Sequence, residues 1–460
     1  MRYSGPSQTK GAQQEGFCAQ VIMRRVIVCV SLVLCVLALP ALARAQQLTP
    51  GNPNSPAATL LLPYFEVDLD NTQGLNTLFT VNNASATAIL THVTVWTDLG
   101  VPVFAFNVYL TGYDAQPFDL RQVLKGTVPT TASAGQDPGD TRSPKGQLSQ
   151  DINFASCSGQ LPPPSAAPTY PDYLRAALTG GPSTFHSGKC VGRNLGTPSI
   201  ARGYVTVDTV NNCTLRLPGD LGYFGPGGSG DATNQNTLWG DYMYINPSLD
   251  EASGDALVHV QASGTDPQTS VAGQYTFYGR LNNFLALDNR EPLSTLFAAR
   301  FVAPKDFKTV AKARRKALLP PSTELIVWRD PKTTTQPFVC GANPTWYPLG
   351  QEQVRAIDEQ EHQEVLTFSP SAQPFPAVTQ RVTVGSTNLP VTTASGWMYL
   401  NLNTTVSGVP NPPEDTAASQ AWVSILQRVQ QGPNGGRYDV GFRAIRLDSA
   451  ENPSHSTIIP

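Results

Sequence analysis

Gly203-Tyr-Val-Thr-Val-Asp-Thr-Val210 and Gly396-Trp-Met-Tyr-Leu-Asn-Leu402 decide the fold. In both, large apolar or β-branched residues recur at every second position, the period of a strand with one face buried. The same alternation runs through Asn76–Val81, Leu90–Trp96, Val101–Leu110, Asp255–Gln261, Gln274–Tyr278, Val378–Val384 and Tyr438–Phe442. Helix is scarce. Pro171–Leu178 predicts one short helix, with Gly180 and Gly181 behind it as a stop. The chain therefore reads as all-β, built from antiparallel sheets that alternate wet and buried faces.

The two opening strings also belong to an internal repeat. Thr77-Leu78-Phe79 followed by Val95-Trp96-Thr97-Asp98 returns as Thr295-Leu296-Phe297 followed by Val327-Trp328-Arg329-Asp330. Gly203–Val207 then matches Gly396–Leu400, and each is followed by a Trp-bearing strand, around Trp239 and Trp422, and a return strand. Pro433-Asn434-Gly435-Gly436 supplies a hairpin turn for the second return. The order predicts two tandem immunoglobulin-like β-sandwich units with long loop insertions, over residues 46–290 and 291–460. In each unit the Trp of Val-Trp-x-Asp is expected between the sheets, and the Asp is expected to serve the turn. One insertion, near 126–200, is flanked by cysteines; the other, near 303–320, is basic.

Residues 1–45 read as a signal peptide. Arg24 and Arg25 precede the apolar stretch Val26–Leu39, and Ala43 and Ala45 are the small residues a signal peptidase needs before Gln46. The upstream part does not resemble such a leader, so Met23 is the expected true start. The apolar stretch falls short of the ~20 residues of a membrane span, so no transmembrane span is expected after cleavage. Cys35 follows Leu34, which does not fit lipoprotein processing.

Cleavage changes how charge and cysteines are read. Five of the 31 basic and one of the 34 acidic residues lie upstream of Gln46, so the net charge moves from −3 to −7. A mildly acidic chain with 14% charged residues has no electrostatic footprint for nucleic acid. Of the 7 cysteines, Cys157, Cys190, Cys213 and Cys340 follow the cleavage site. An even number in an oxidising compartment predicts two disulfides, with three pairings open. Stapling the ends of the Pro-rich insertion favours Cys157 with Cys190, which leaves Cys213 with Cys340.

Leu62-Pro-Tyr-Phe-Glu-Val-Asp68, the Val-Trp-x-Asp element, Leu238-Trp-Gly-Asp-Tyr242 and Pro344-Thr-Trp-Tyr-Pro-Leu-Gly350 resemble strings in exported bacterial proteins of unassigned role. The resemblance extends over most of the mature chain. It implies a bacterial source and an exported β-rich protein, and it implies no activity.

No constellation in the sequence points to catalysis. Of the 5 histidines, His92 and His259 lie within strands, His186 in the Cys-flanked insertion, His362 in an acidic run and His455 in the tail. There is no Gly-x-Ser-x-Gly elbow and no paired-histidine zinc spacing. Glu66, Asp68, Asp70 and Asn71 offer oxygen ligands on one segment without the full spacing of a calcium loop, and a solvated turn is the expected reading. Gly225–Gly230 lacks the context of a phosphate-binding loop. The basic insertion is read as a solvated loop, with an anionic surface as the alternative partner. Trp346 and Tyr347 are the candidate exposed aromatic platform, against the alternative that Trp346 plugs the open end of a sandwich.

These readings lead to an uncharacterised exported, non-enzymatic protein without cofactor or metal. Its expected role is binding or structural at the cell envelope, in the periplasm, at the surface or outside the cell. A surface glycan or another envelope protein is the expected kind of partner. The alternative is a carbohydrate-binding module or carbohydrate-active enzyme.

Overall fold

A computed structural model describes residues 55–129, 170–262, 276–281, 288–303, 319–331, 333, 335–406, 420–430, 437–443 and 445–446. The residues read as a signal peptide, Cys157, the basic stretch 304–318 and the expected hairpin turn at 433–436 lie outside them. The first half forms β1 (Thr59–Asp68), β2 (Asn76–Asn83), β3 (Ile89–Thr97), β4 (Pro102–Leu110) and β5 (Ala115–Asp119). Two helices follow, α1 (Leu120–Leu124) and α2 (Tyr170–Thr179), then β6 (Ile200–Val210), β7 (Leu238–Asn246), β8 (Glu251–Ala256) and β9 (Val258–Val260). The second half forms β10 (Leu296–Val302), β11 (Leu319–Arg329), β12 (Leu349–Ile357), β13 (Gln363–Leu366) and β14 (Thr379–Thr383). It ends with β15 (Ser395–Val406), β16 (Ala421–Gln430), β17 (Arg437–Arg443) and β18 (Ile445–Arg446).

All strand pairs are antiparallel, and the described strands form four sheets. The first half pairs a five-stranded sheet, β4-β3-β6-β1-β9, with a four-stranded one, β5-β2-β7-β8. The second half has β13-β12-β15-β10-β18 and β14-β11-β16-β17. Adding nine to every strand of the first half gives the second half, sheet for sheet. The match reaches single residues. Phe65 of β1 pairs with Gly203 of β6, and Phe301 of β10 pairs with Gly396 of β15.

The sequence repeat is only half in step with this topology. Gly203 and Gly396 lie in counterpart strands, as do Trp239 and Trp422. Trp96, however, is in β3 and Trp328 in β11, the counterpart of β2. Thr77-Leu78-Phe79 is in β2, whereas Leu296-Phe297 opens β10, the counterpart of β1. The strings Thr-Leu-Phe and Val-Trp suit any strand with one face buried, so they recur without marking equivalent positions.

Alternation fills each sandwich. Leu60, Leu62, Val93, Val95, Val205 and Val207 of the five-stranded sheet meet Phe79, Val81, Tyr242 and Tyr244 of the four-stranded one. In the second half Phe297, Phe301, Met398 and Leu400 meet Leu325, Val327, Val423 and Ile425. The predicted helix is present as α2, and Gly180 after it has φ +78. A Cβ on Gly180 would lie 2.3 Å from the Arg193 backbone, so this stop also permits close packing of the following loop. One strand assignment fails. Phe277–Leu281 is a turn, and its aromatic pair is buried in the junction described next rather than in a sheet.

The tryptophans of Val-Trp-x-Asp are not between the sheets. They point away from the sandwich cores into one aromatic cluster between the halves. Trp96 stacks on Tyr204 at 5.5 Å, Tyr204 meets Trp328 edge-on at 6.0 Å, and Trp328 stacks on Phe277 at 5.5 Å. Trp422, Trp346, Tyr223 and Phe224 join the same cluster. Nor do the aspartates of the motif serve turns. Asp98 takes Arg193 at 2.6 Å, and Asp330 takes Arg280 at 3.1 Å, with all four side chains largely buried.

The disulfide expectation is corrected as well. Cys190 is bonded to Cys340, joining the first half to the second across a sequence separation of 150. Cys213 is also disulfide-bonded, so the pairing of Cys213 with Cys340 does not occur. The insertion is not stapled at its own ends because Cys190 forms a short antiparallel bridge with Phe338, which sets it beside Cys340.

Candidate ligand site between the two sandwiches

A cleft of about 790 Å³ opens where the halves meet. Its wall in the first half is Tyr64 and Glu66 of β1, Arg202 of β6 and the loop at Arg193 and Leu195. Its wall in the second half is Gln380 and Arg381 of β14, the Tyr347–Pro348 segment, whose peptide bond is cis, and the loops around Gln373 and Asn388.

Both strands bring charge into a buried position. β1 and β14 lie on either side of the junction, so Glu66 and Arg381 extend toward each other. Glu66 takes Arg202 at 2.9 Å through one carboxylate oxygen and lies 3.7 Å from Arg381 through the other. Arg381 lies 3.5 Å from Glu324, and Glu324 takes Arg428 at 3.0 Å. Arg428 finally bonds Glu251 of β8 in the first half. Three arginines and three glutamates thus alternate in a chain that crosses the junction twice. Buried ions are tolerated when each is paired, and this chain pairs them all.

The arrangement shifts the titrating groups. Burial opposes the charge of Arg381, but Glu324 and Glu66 more than reverse this and raise its pKa. The guanidinium also lies over the rings of Tyr64 and Tyr244, at 5.9 and 5.6 Å. Burial, then the Glu66 charge, raises the Tyr64 phenol far above its usual range. Burial likewise opposes the Arg193 charge; Asp98 reverses it, and a bond to Tyr347 adds to the effect. Arg381 and Arg193 are therefore held charged, and Tyr64 neutral, around neutral pH. Its rim carries amides, hydroxyls and prolines: Asn343, Gln373, Gln380, Asn388, Ser371 and Pro348.

Of the proposed aromatic platform, Tyr347 borders the cleft and is partly buried. Trp346 is only 4% exposed and packs in the junction cluster, its ring edge-on to Tyr347 at 6.3 Å. Trp346 is thus buried in the junction, neither an exposed platform nor a plug at the open end of a sandwich. The acidic segment after β1 is also taken apart. Glu66 belongs to the charge chain, Asp68 accepts the amides of Asp70 and Asn71 at 3.1 Å, and Asp70 pairs with Arg175. In the second acidic run, Asp358 accepts the amides of Gln360 and His362 and closes the β12–β13 turn.

The strand histidines lie away from the cleft. His92 is fully buried, its Nδ1 is 3.0 Å from Asn107 Oδ1, and burial lowers its pKa so that it stays neutral. His259 Nδ1 is 2.7 Å from the Ser55 carbonyl. Beside His92 lies a buried centre that the sequence reading missed. Asp208 accepts the hydroxyls of Tyr223 at 2.7 Å and Tyr278 at 3.0 Å, and lies 3.5 Å from Arg290. Asp208 and Arg290 are both fully buried, so this centre fastens the segment between the halves onto the outer face of the first five-stranded sheet.

No protein-family profile matches this chain, and no curated protein is significantly similar to it.

Proposed function

We propose that this is an exported, non-enzymatic binding protein of the bacterial cell envelope, with the cleft between its two sandwiches as ligand site. The observation that carries the reading is the cleft itself: a cavity of about 790 Å³ floored by mutually neutralised charges and rimmed by amides, hydroxyls and Tyr347. Pockets between structural units are common ligand sites. Paired charges leave little pull for an ion, whereas amides, hydroxyls and a tyrosine ring suit a neutral polyhydroxylated ligand. That favours a saccharide, so a surface glycan is the proposed partner. The Cys190–Cys340 bond supports an oxidising compartment, the periplasm, the surface or the exterior. The paired charge chain supports binding rather than catalysis, since its groups are held in ion pairs instead of being poised to exchange protons.

A glycan-array screen of the wild-type protein and of Tyr347→Ala tests the reading. Retention of a defined glycan class by the wild type, weakened about tenfold or more in the variant, is expected for loss of a stacking ring. No retained glycan, or equal retention by both proteins, removes the cleft as a saccharide site. Cell fractionation checks the compartment, and unprocessed protein with reduced thiols in the cytoplasm would overturn it.

A further inference from the structure

The duplication leaves one sheet face buried in the second half and bare in the first. The outer face of β14-β11-β16-β17 packs against the first sandwich, with Trp422, Ser424 and Leu426 all buried. Its counterpart is the outer face of β5-β2-β7-β8. There the matching β7 residues are Trp239, Asp241 and Met243, and they face solvent. Trp239 is 47% exposed and Met243 46%. Across the β7–β8 ladder Met243 faces Gly254 and Asp241 faces Ala256, so the neighbouring strand adds no bulk and the face stays flat.

A second exposed patch lies on the other half, at the Trp397 end of a face on which Tyr399 and Asn401 are buried. On the outer side of β13-β12-β15-β10-β18, Trp397 is 37% and Val365 54% exposed. Arg300 is paired with Trp397 across the β10–β15 ladder and lies over its ring at 5.0 Å. One face thus combines apolar area with a carboxylate, the other apolar area with a guanidinium. Exposed apolar faces of this kind mark contact surfaces, and opposite charge selects which two meet.

We propose that the protein self-associates head to tail: the β5-β2-β7-β8 face of one copy docks on the β13-β12-β15-β10-β18 face of the next. The occupant of each face is a second copy of this chain. Two things argue for it. The charges of the two faces are complementary, Asp241 against Arg300. The covering of a β14-β11-β16-β17 face by another sandwich of the same chain already shows what such a sheet packs against. Because the two faces differ, every docked copy leaves one of each free. Such a contact extends into a filament or closes into a ring, and does not stop at a dimer. The cleft is not part of either face.

Sedimentation velocity over a concentration series tests this, with thermal unfolding as a check that each variant is folded. The wild type is expected to grow beyond dimer as concentration rises. Asp241→Lys blocks one face and Arg300→Glu the other, and each alone is expected to need about tenfold more protein to associate. In an equimolar mixture every contact between unlike copies again joins opposite charges, so the mixture is expected to recover association beyond dimer, in alternating copies. The double variant reverses both charges together and regains the wild-type behaviour. A wild type that stays monomeric throughout overturns the proposal. So does a wild type that stops at dimer, or a variant mixture that behaves as the sum of its parts.

Discussion

Phe65 lies opposite Gly203 across the β1–β6 ladder, and its ring occupies the space that a side chain on Gly203 would need. A Cβ there would be 2.9 Å from the Phe65 ring and 2.0 Å from the Trp96 carbonyl. Phe301 and Gly396 repeat the pair in the other sandwich, where Gly396 has φ +155. Gly203→Val is therefore expected to destabilise the fold by about 1–3 kcal/mol or more through overpacking. Phe65→Ala leaves a cavity, with an expected loss of about 3–5 kcal/mol. Urea-unfolding midpoints measure both, and wild-type stability of Gly203→Val would count against the packing described.

Those glycines also show how far the sequence could be read. Period-2 alternation located β2, β3, β4, β6, β14, β15 and β17, because large apolar or β-branched residues recur at every second position of each, even in β3 and β4, which are buried almost throughout. It passed over β1, whose run Leu60-Leu61-Leu62 is buried on both sides: Leu60 and Leu62 in the sandwich, Leu61 in the junction. The junction itself left no local trace. Trp96 and Trp328 look like core residues because they are buried, and burial against a second sandwich has the same sequence signature as burial between two sheets. The cleft was half visible. Tyr347 and Glu66 were singled out, but Arg202 and Arg381 were not, since one arginine in an alternating strand normally faces solvent. Glu66 in Tyr-Phe-Glu-Val and Arg381 in Thr-Gln-Arg-Val gain their meaning only when β1 and β14 meet.

The charge chain predicts a non-additive result. Arg428→Met takes from Glu251 the cation it shares with Glu324, which keeps Arg381, and a loss of about 3–5 kcal/mol is expected for breaking a buried pair. Adding Glu251→Leu removes this carboxylate as well and should restore part of that loss. A double-mutant cycle by chemical denaturation reads the coupling, and strictly additive losses would show the contacts to be independent.

Reduction supplies a separate check. Cys340→Ser removes the bond from Cys190 to the second half, and an expected loss of about 2–4 kcal/mol follows from the larger freedom of the unfolded chain. A peptide map of the non-reduced protein should join the Cys190 and Cys340 peptides. A map joining Cys157 to Cys190 instead would overturn the assignment.

Acid stability has a definite sign at the segment between the halves. Burial pushes Glu291 up to about 7 and Asp288 up to about 6. A raised carboxyl pKa means that the folded state holds its proton longer than the unfolded state does. Stability from these groups is therefore present at low pH and is lost as pH rises toward about 6 for Asp288 and about 7 for Glu291. Glu291→Gln is expected to flatten the fall in melting temperature between about pH 4.5 and pH 7. An unchanged pH profile would show that Glu291 is solvated.

The bond between Cys190 and Cys340 also sets an order of maturation. The chain emerges from its N-terminal end, so Cys190 is present long before its partner, which lies 150 residues later. During that interval Cys157 and Cys213 are both nearer to it along the chain than Cys340 is. Pairing with either of these is thus the kinetic rival of the native bond. What defeats it is the second sandwich, because only its arrival builds the Cys190–Phe338 bridge that brings Cys340 alongside. The last half of the polypeptide to be made thereby acts as the template that completes the covalent structure of the first.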